Sequence, residues 1–310
     1  MLSLVRAQYD APSFCEGGGI GRRTRLRIWR FDVRVQVPPL APYKILQSLE
    51  YSRLFFIYRK KKKENSVERN IKLTYSYDGS EFFGFQRQPG FRTVQGELEK
   101  VLGTIFKNKI DLVSAGRTDR GVHAKKQVSN FYTTSSIPLE KIKRIINGLI
   151  PNDIFILDVQ EVDLQFSSRF SATYRSYEYY IGEDRNPFQS RYVTFVDEQL
   201  DLERLNKIVS PLVGQHDFSN FRLSDCGSNT TIREIYEAKF ERVNEKTIKL
   251  YVKGNAFLKS QIRIIVGTIL SIYFGKKPEN YLIEMLKNPN IQYAKIVAEP
   301  FGLHLFDIGY

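Results

Sequence analysis

The chain has 310 residues, enough for one large domain or two modest ones, and at 42% hydrophobic and 13% aromatic it can bury a sizeable core. No apolar run approaches the ~20 residues of a membrane span, and Cys15 and Cys226 give neither a disulfide framework nor a metal motif, so a soluble chain in a reducing cytoplasm is expected. The net charge of +13 is uneven: residues 1–69 hold 15 Lys/Arg against 6 Asp/Glu, and the remainder holds 32 against 28. The body is therefore only mildly basic, and bulk charge says little about a nucleic-acid partner.

Residues 1–69 read differently from the rest. Gly17-Gly18-Gly19-Ile20-Gly21-Arg22-Arg23 and Val37-Pro38-Pro39-Leu40-Ala41-Pro42 lack sustained periodicity. The glycine cluster is not a dinucleotide fingerprint, because Arg22 stands where the third Gly should be and no strand precedes it. Lys60 to Lys63 reads as a solvated basic run, and no apolar h-region follows Met1. The expectation is a basic extension outside the folded body, disordered or added by an over-long start, with no Met between Met1 and Met285.

From Asn70 the periodicity is clear. Ile71, Leu73, Tyr75 and Tyr77 alternate with Lys72, Thr74 and Ser76, which predicts a half-buried strand. Thr93 caps a predicted helix with Val94, Leu98, Val101, Leu102 and Ile105 on one stripe. Short strands near 110–115 and 127–134 follow, then a helix after Pro138 with Leu139, Ile142, Ile146 and Leu149 on one face, then a strand over 154–162. The second half repeats this order. A Tyr-rich strand over 175–181 leads to a helix carrying Leu202, Leu205, Ile208 and Leu212. Strands near 231–243 and 247–253, a helix carrying Ile262, Ile265, Val266, Ile269 and Tyr273, a shorter helix after Pro278 and a closing strand over 303–308 complete it. Two β-α-β-β-α-β units predict an α+β protein of two ferredoxin-like halves, with antiparallel sheets meeting at a central cleft. The expected domains are 70–167 and 168–310.

Ser114-Ala115-Gly116-Arg117-Thr118-Asp119-Arg120-Gly121-Val122-His123-Ala124 carries the chemistry. A carboxylate, Asp119, stands between the guanidinium groups of Arg117 and Arg120. Nearby cations favour the charged form of a carboxylate, and Gly116 and Gly121 let the backbone turn and approach a ligand. A short Gly-Arg-Thr-Asp match is an ordinary turn. The longer Gly-Arg-Thr-Asp-x-Gly-Val-His-Ala closely resembles the active-site motif of the bacterial-type tRNA pseudouridine synthase A family.

Other segments resemble the same family in the same order. They are Tyr75-Ser76-Tyr77-Asp78-Gly79 with Gly84-Phe85-Gln86-Arg87-Gln88, then Phe166 to Thr173 with Tyr177-Glu178-Tyr179, then Asn255-Ala256-Phe257-Leu258 with Arg263-Ile264-Ile265-Val266-Gly267, and Pro300 to Leu305. Phe85 replaces a Trp common in the family, Ser167-Ser168 replaces His-Ala, and Arg120 replaces a residue that is usually small. The resemblance implies Asp119 as nucleophile or essential carboxylate, with attack at C1′, attack at C6 and abstraction of a ribose proton all open. It implies Tyr177 as the active-site tyrosine, while Tyr179 and Tyr180 are expected in the core. Arg263, a charged residue in an apolar helix, needs an anion, and the resemblance makes that anion Asp119. Leu303 would pack on the target base. Arg117 would help extrude the base or contact phosphate, and Arg120, Gln86 and Arg87 are further substrate-binding candidates.

The implied reaction is isomerisation of uridine to pseudouridine in the anticodon stem-loop of tRNA, at positions 38, 39 and 40, by a cytoplasmic homodimer. It exchanges no electrons, so no cofactor and no metal are expected. His123, His216 and His304 are not at ligand spacing. A non-catalytic RNA-binding module would not need Asp119, Tyr177 and Arg263 together, a methyltransferase would need a Gly-rich cofactor loop, and a sibling synthase with another RNA target is the nearest rival.

Overall fold

The computed structural model describes residues 67–223 and 227–310. The expectation for residues 1–66 lies outside them. Strand β1 (Arg69–Tyr77) buries Ile71, Leu73, Tyr75 and Tyr77, as its alternation requires. Helix α1 (Val94–Phe106) starts at Thr93, whose side chain accepts from Gly96 N. Strand β2 is only Val113–Ser114. Strand β3 (His123–Thr133) starts earlier than the apolar pattern suggests and takes in His123 and Ala124. Helix α2 (Leu139–Leu149) buries Ile142 and Ile146. Leu149 is exposed, and Ile150, just past the helix, is buried in its place. Strand β4 (Ile154–Val162) closes the first half.

The second half runs β5 (Tyr174–Gly182), β6 (Thr194–Phe195), α3 (Leu202–Val209), β7 (Gly214–Asp217), β8 (Ile232–Asn244), β9 (Thr247–Gly254), α4 (Gln261–Tyr273), α5 (Tyr281–Lys287) and β10 (Leu303–Gly309). Tyr179 is fully buried. Tyr180, expected beside it in the core, is not. Neighbouring strand residues point to opposite faces, and the Tyr180 hydroxyl instead meets Lys125 Nζ and Glu178 Oε2 at 2.7 Å each.

One sheet of ten strands runs through both halves, in the order β4-β1-β3-β10-β5-β9-β8-β7, with β2 on β3 and β6 on β5. With the short β6 and β7 set aside, each half has its fourth, first, third and second strands side by side: β4-β1-β3-β2, then β10-β5-β9-β8. The halves join where β10 lies parallel to β3, His304 opposite His123 and Leu305 opposite Ala124. β2 pairs only with Ser129 and Asn130 of β3, which leaves the start of β3 open to β10. The two hydrophobic cores interpenetrate at this seam. Leu305 and Ile308 of β10 pack in the first-half core, Val122 packs in the second-half core, and Tyr177 touches both. Burying each such aliphatic side chain contributes roughly 1.5–3 kcal/mol, so the packing that forms the cores also holds the halves together.

Candidate active site

The loop carrying Asp119 is tied down on several sides. Ala115 N donates to Val128 O, Phe85 N to Thr118 O and Val122 N to Asp119 O. The Tyr77 and Thr118 hydroxyls lie 2.8 Å apart. Gly121 has φ +78°, and a Cβ there would lie 2.9 Å from Pro300 Cγ, so both the turn and the close approach need glycine. Gly79 packs so tightly that a Cβ would lie 2.0 Å from Val122 O.

Asp119 meets its partners from the far half of the chain. Arg263 Nη1 donates to Asp119 Oδ2 at 3.1 Å, and Ser260 Oγ donates to the same oxygen at 2.5 Å. Arg263 Nε donates to Ala298 O at 2.8 Å, which fixes the guanidinium plane. Among the described residues, no donor reaches Asp119 Oδ1.

Tyr177 stands on β5, half-buried, its ring edge-on to Phe257 at 5.2 Å and 85°. A Cβ on Gly116 would lie 3.9 Å from the Tyr177 hydroxyl, which puts the phenol beside the Asp119 loop. Burial pushes this phenol up to about 12. Leu303 is buried in the second-half core, opposite Tyr179, and Leu305 is opposite Tyr177.

The remaining sequence candidates fall in different places. Arg117 and Arg120 are exposed, and neither has an ion-pair or hydrogen-bond partner among the described residues. The Arg120 guanidinium lies 4.9 Å over the Phe83 ring, which stacks on Phe91 at 4.0 Å. Gln86 is exposed next to Phe85. Arg87 is occupied elsewhere: it pairs with Glu99 Oε2 at 2.5 Å, and Glu99 also accepts from Gln95 Nε2 and Leu112 N. The structure thus gathers Asp119, Arg263 and Tyr177, and ties Arg87 into a network on α1.

Two residues at the site escaped the sequence reading. Ser260 is one. Arg175 is the other: its guanidinium donates to Ala115 O, Arg169 O, Ala172 O and Asn255 O. It clamps the strand entering the Asp119 loop to the chain before β5 and after β9. An arginine two positions before a tyrosine on a strand carries no signal of such a role. Beneath the loop, Gly79 N donates to His123 Nδ1 at 3.1 Å, and the His123 ring stacks on His304 at 4.7 Å. Burial lowers both histidines, His304 to about 4.

The site therefore holds a carboxylate with one oxygen bonded by two donors and the other open, beside a phenol and exposed arginines. A family model described as tRNA pseudouridine synthase matches residues 73–171 and 208–310. The proteins named tRNA pseudouridine synthase A of Borrelia duttonii, Caldicellulosiruptor bescii and Exiguobacterium sp. are 39%, 37% and 35% identical over 244, 244 and 242 residues, spanning 78% of this chain and 99%, 100% and 98% of theirs. The chain belongs to the tRNA pseudouridine synthase family, and as a member it is an isomerase that makes pseudouridine from uridine in tRNA. Among the described residues, no helix is long and apolar enough to cross a membrane.

Proposed function

We propose that the target is the anticodon stem-loop of tRNA, at positions 38 to 40, and that Asp119 is the essential carboxylate of the reaction. The observation that carries this reading is the carboxylate held at Oδ2 by Arg263 and Ser260 and open at Oδ1, next to Tyr177. The N1–C1′ bond of uridine breaks, the base turns, and C5 bonds to C1′; the C5 proton leaves and N1 ends protonated. Atoms and electrons balance without a co-reactant. Tyr177 stacks on the flipped uracil. Its phenol, raised to about 12, keeps its proton at neutral pH, so it moves the C5 proton only as a relay, giving up one proton as it takes another. Leu303 supplies apolar packing for the base, and Arg117 extrudes the base or contacts phosphate, at a cost of roughly a few kcal/mol for unstacking. Arg120 and Gln86 lie along the approach of the RNA, and Arg87, tied to Glu99, is left out.

In this reading residues 70–167 carry the carboxylate, residues 168–310 complete the site, and the enzyme works in the cytoplasm as a homodimer with tRNA lying across both subunits. Asp119→Asn is expected to abolish tritium release from C5-labelled uridine in tRNA while tRNA affinity stays within about tenfold. Wild-type release by that variant would overturn the role of Asp119. Pseudouridine mapping of tRNAs from cells lacking the gene tests the target, with loss confined to the anticodon arm expected; loss elsewhere would reassign it.

A further inference from the structure

Ser260 directly precedes α4, the position at which a serine side chain ordinarily accepts from the second or third helical N–H. It makes no such cap. Its backbone instead sits at φ 57°, ψ 15°, in the left-handed region, which is strained for a residue that carries a Cβ. The only other non-glycine residue with positive φ among those described is Lys107, which ends α1, where that conformation is common.

The turn around Ser260 is held from outside. Leu258 N donates to Gln261 Oε1 at 2.7 Å, Gln261 N to Leu258 O, and Ile264 N to Ser260 O. Strain that the surroundings hold in place is a pointer to function. Here it aims the hydroxyl of a buried residue, 8% exposed, away from the helix and onto Asp119 Oδ2 at 2.5 Å. That length fits a charge-assisted O–H···O⁻ bond.

We propose that Ser260 is a positioning residue of the isomerase reaction, fixing the Asp119 carboxylate so that Oδ1 is the oxygen offered to the nucleotide. The inference rests on Asp119 being the essential carboxylate. Arg263 and Ser260 approach one oxygen together, and two donors on a single oxygen stop the carboxylate from turning about its Cβ–Cγ bond. A carboxylate bonded to Arg263 alone keeps that freedom. A misplacement of about 1 Å at a reacting atom costs roughly 10²-fold.

The test uses Ser260→Ala, which removes the hydroxyl and keeps the strained backbone, and Ser260→Gly, which removes the hydroxyl and relieves the strain. Single-turnover tritium release from C5-labelled tRNA, tRNA affinity and thermal midpoint are measured for both, with Asp119→Asn in parallel. The expected result is a loss of about 10- to 100-fold in rate for both serine variants, with tRNA affinity within about twofold and Ser260→Gly at least as stable as Ser260→Ala. A Ser260→Gly enzyme at wild-type rate, or a loss seen only in affinity or only in the less stable variant, overturns the positioning role. If Asp119→Asn is itself active, it is the reading of Asp119 that fails; if Asp119→Asn is inactive and both serine variants are fully active, only the inference about Ser260 fails.

Discussion

Removing the Arg263 guanidinium while keeping the helix intact, as in Arg263→Gln, leaves the Asp119 charge with Ser260 Oγ alone. Asp119→Asn leaves the Arg263 charge facing Ala298 O. At the observed 3.1 Å, two unit charges attract by about 5 kcal/mol at an effective dielectric of ~20. Desolvation takes back much of this, and water reaches side chains that are 18% and 22% exposed. The net coupling is then about 2 kcal/mol, within the range of hydrogen bonds to charged groups. Each single variant should lose about 2–3 kcal/mol of stability, because it leaves one charge without its partner. The double variant should lose about as much as one single variant, not the sum. Urea unfolding of the four proteins at pH 7, with comparable denaturant slopes, gives the coupling directly. Losses that add to within about 0.5 kcal/mol would refute an energetic coupling between Asp119 and Arg263.

The histidines at the seam predict a pH effect. His304 is buried and lowered from 6.5 to about 4, so its contribution to stability is complete above pH 6.5 and is lost as the pH falls toward 4. Integrated to pH 5, the loss is about 2 kcal/mol. His304→Gln should therefore lose about that much less stability than wild type between pH 8 and pH 5 in urea titrations, and equal losses would count against the assignment. Arg87→Ala leaves the buried Glu99 carboxylate with Gln95 and Leu112 as donors, so it should cost about 1 kcal/mol of stability and change kcat/KM less than threefold. A tenfold loss of tRNA affinity would instead restore Arg87 as an RNA contact.

Much of this site can be read from the residues because its chemistry is local in sequence or constrained by burial. Asp119 stands out as a carboxylate between glycines and arginines. Arg263 stands out as a charge in the apolar helix Gln261–Tyr273, where only an anion makes it tolerable. The alternation of Ile71, Leu73, Tyr75 and Tyr77 gives both the strand and its buried face. Tyr180 was also legible in principle, since a period of two forbids Tyr179 and Tyr180 from sharing a core. The remaining features depend on partners far along the chain. Ser260 before an apolar helix has the pattern of an ordinary cap, and only its left-handed backbone and its bond to a residue 141 positions away show otherwise. Arg87 beside Gln86 suggests a polar binding loop, and nothing in that stretch signals its pairing with Glu99. His123 reads as part of a loop motif, yet it starts β3, because pairing with β10 extends a strand that its own apolar pattern would begin later.

The placement of the site follows from the same contacts that close the fold. The first half supplies Asp119; the second supplies Ser260, Arg263 and Tyr177. Neither half has the Asp119 carboxylate with its donors in place unless β10 lies beside β3. The apolar residues at that seam are exchanged between the cores, Val122 into one and Leu305 with Ile308 into the other. A small slip between the halves therefore moves Asp119 relative to Arg263 and Ser260 before it exposes much apolar surface. Hydrogen bonds weaken within tenths of an ångström, whereas hydrophobic burial changes gradually with area. Substitutions along β3 and β10 that cost little stability should thus cost proportionally more in turnover than equally destabilising substitutions in α2, whose buried Ile142 and Ile146 lie in the first-half core.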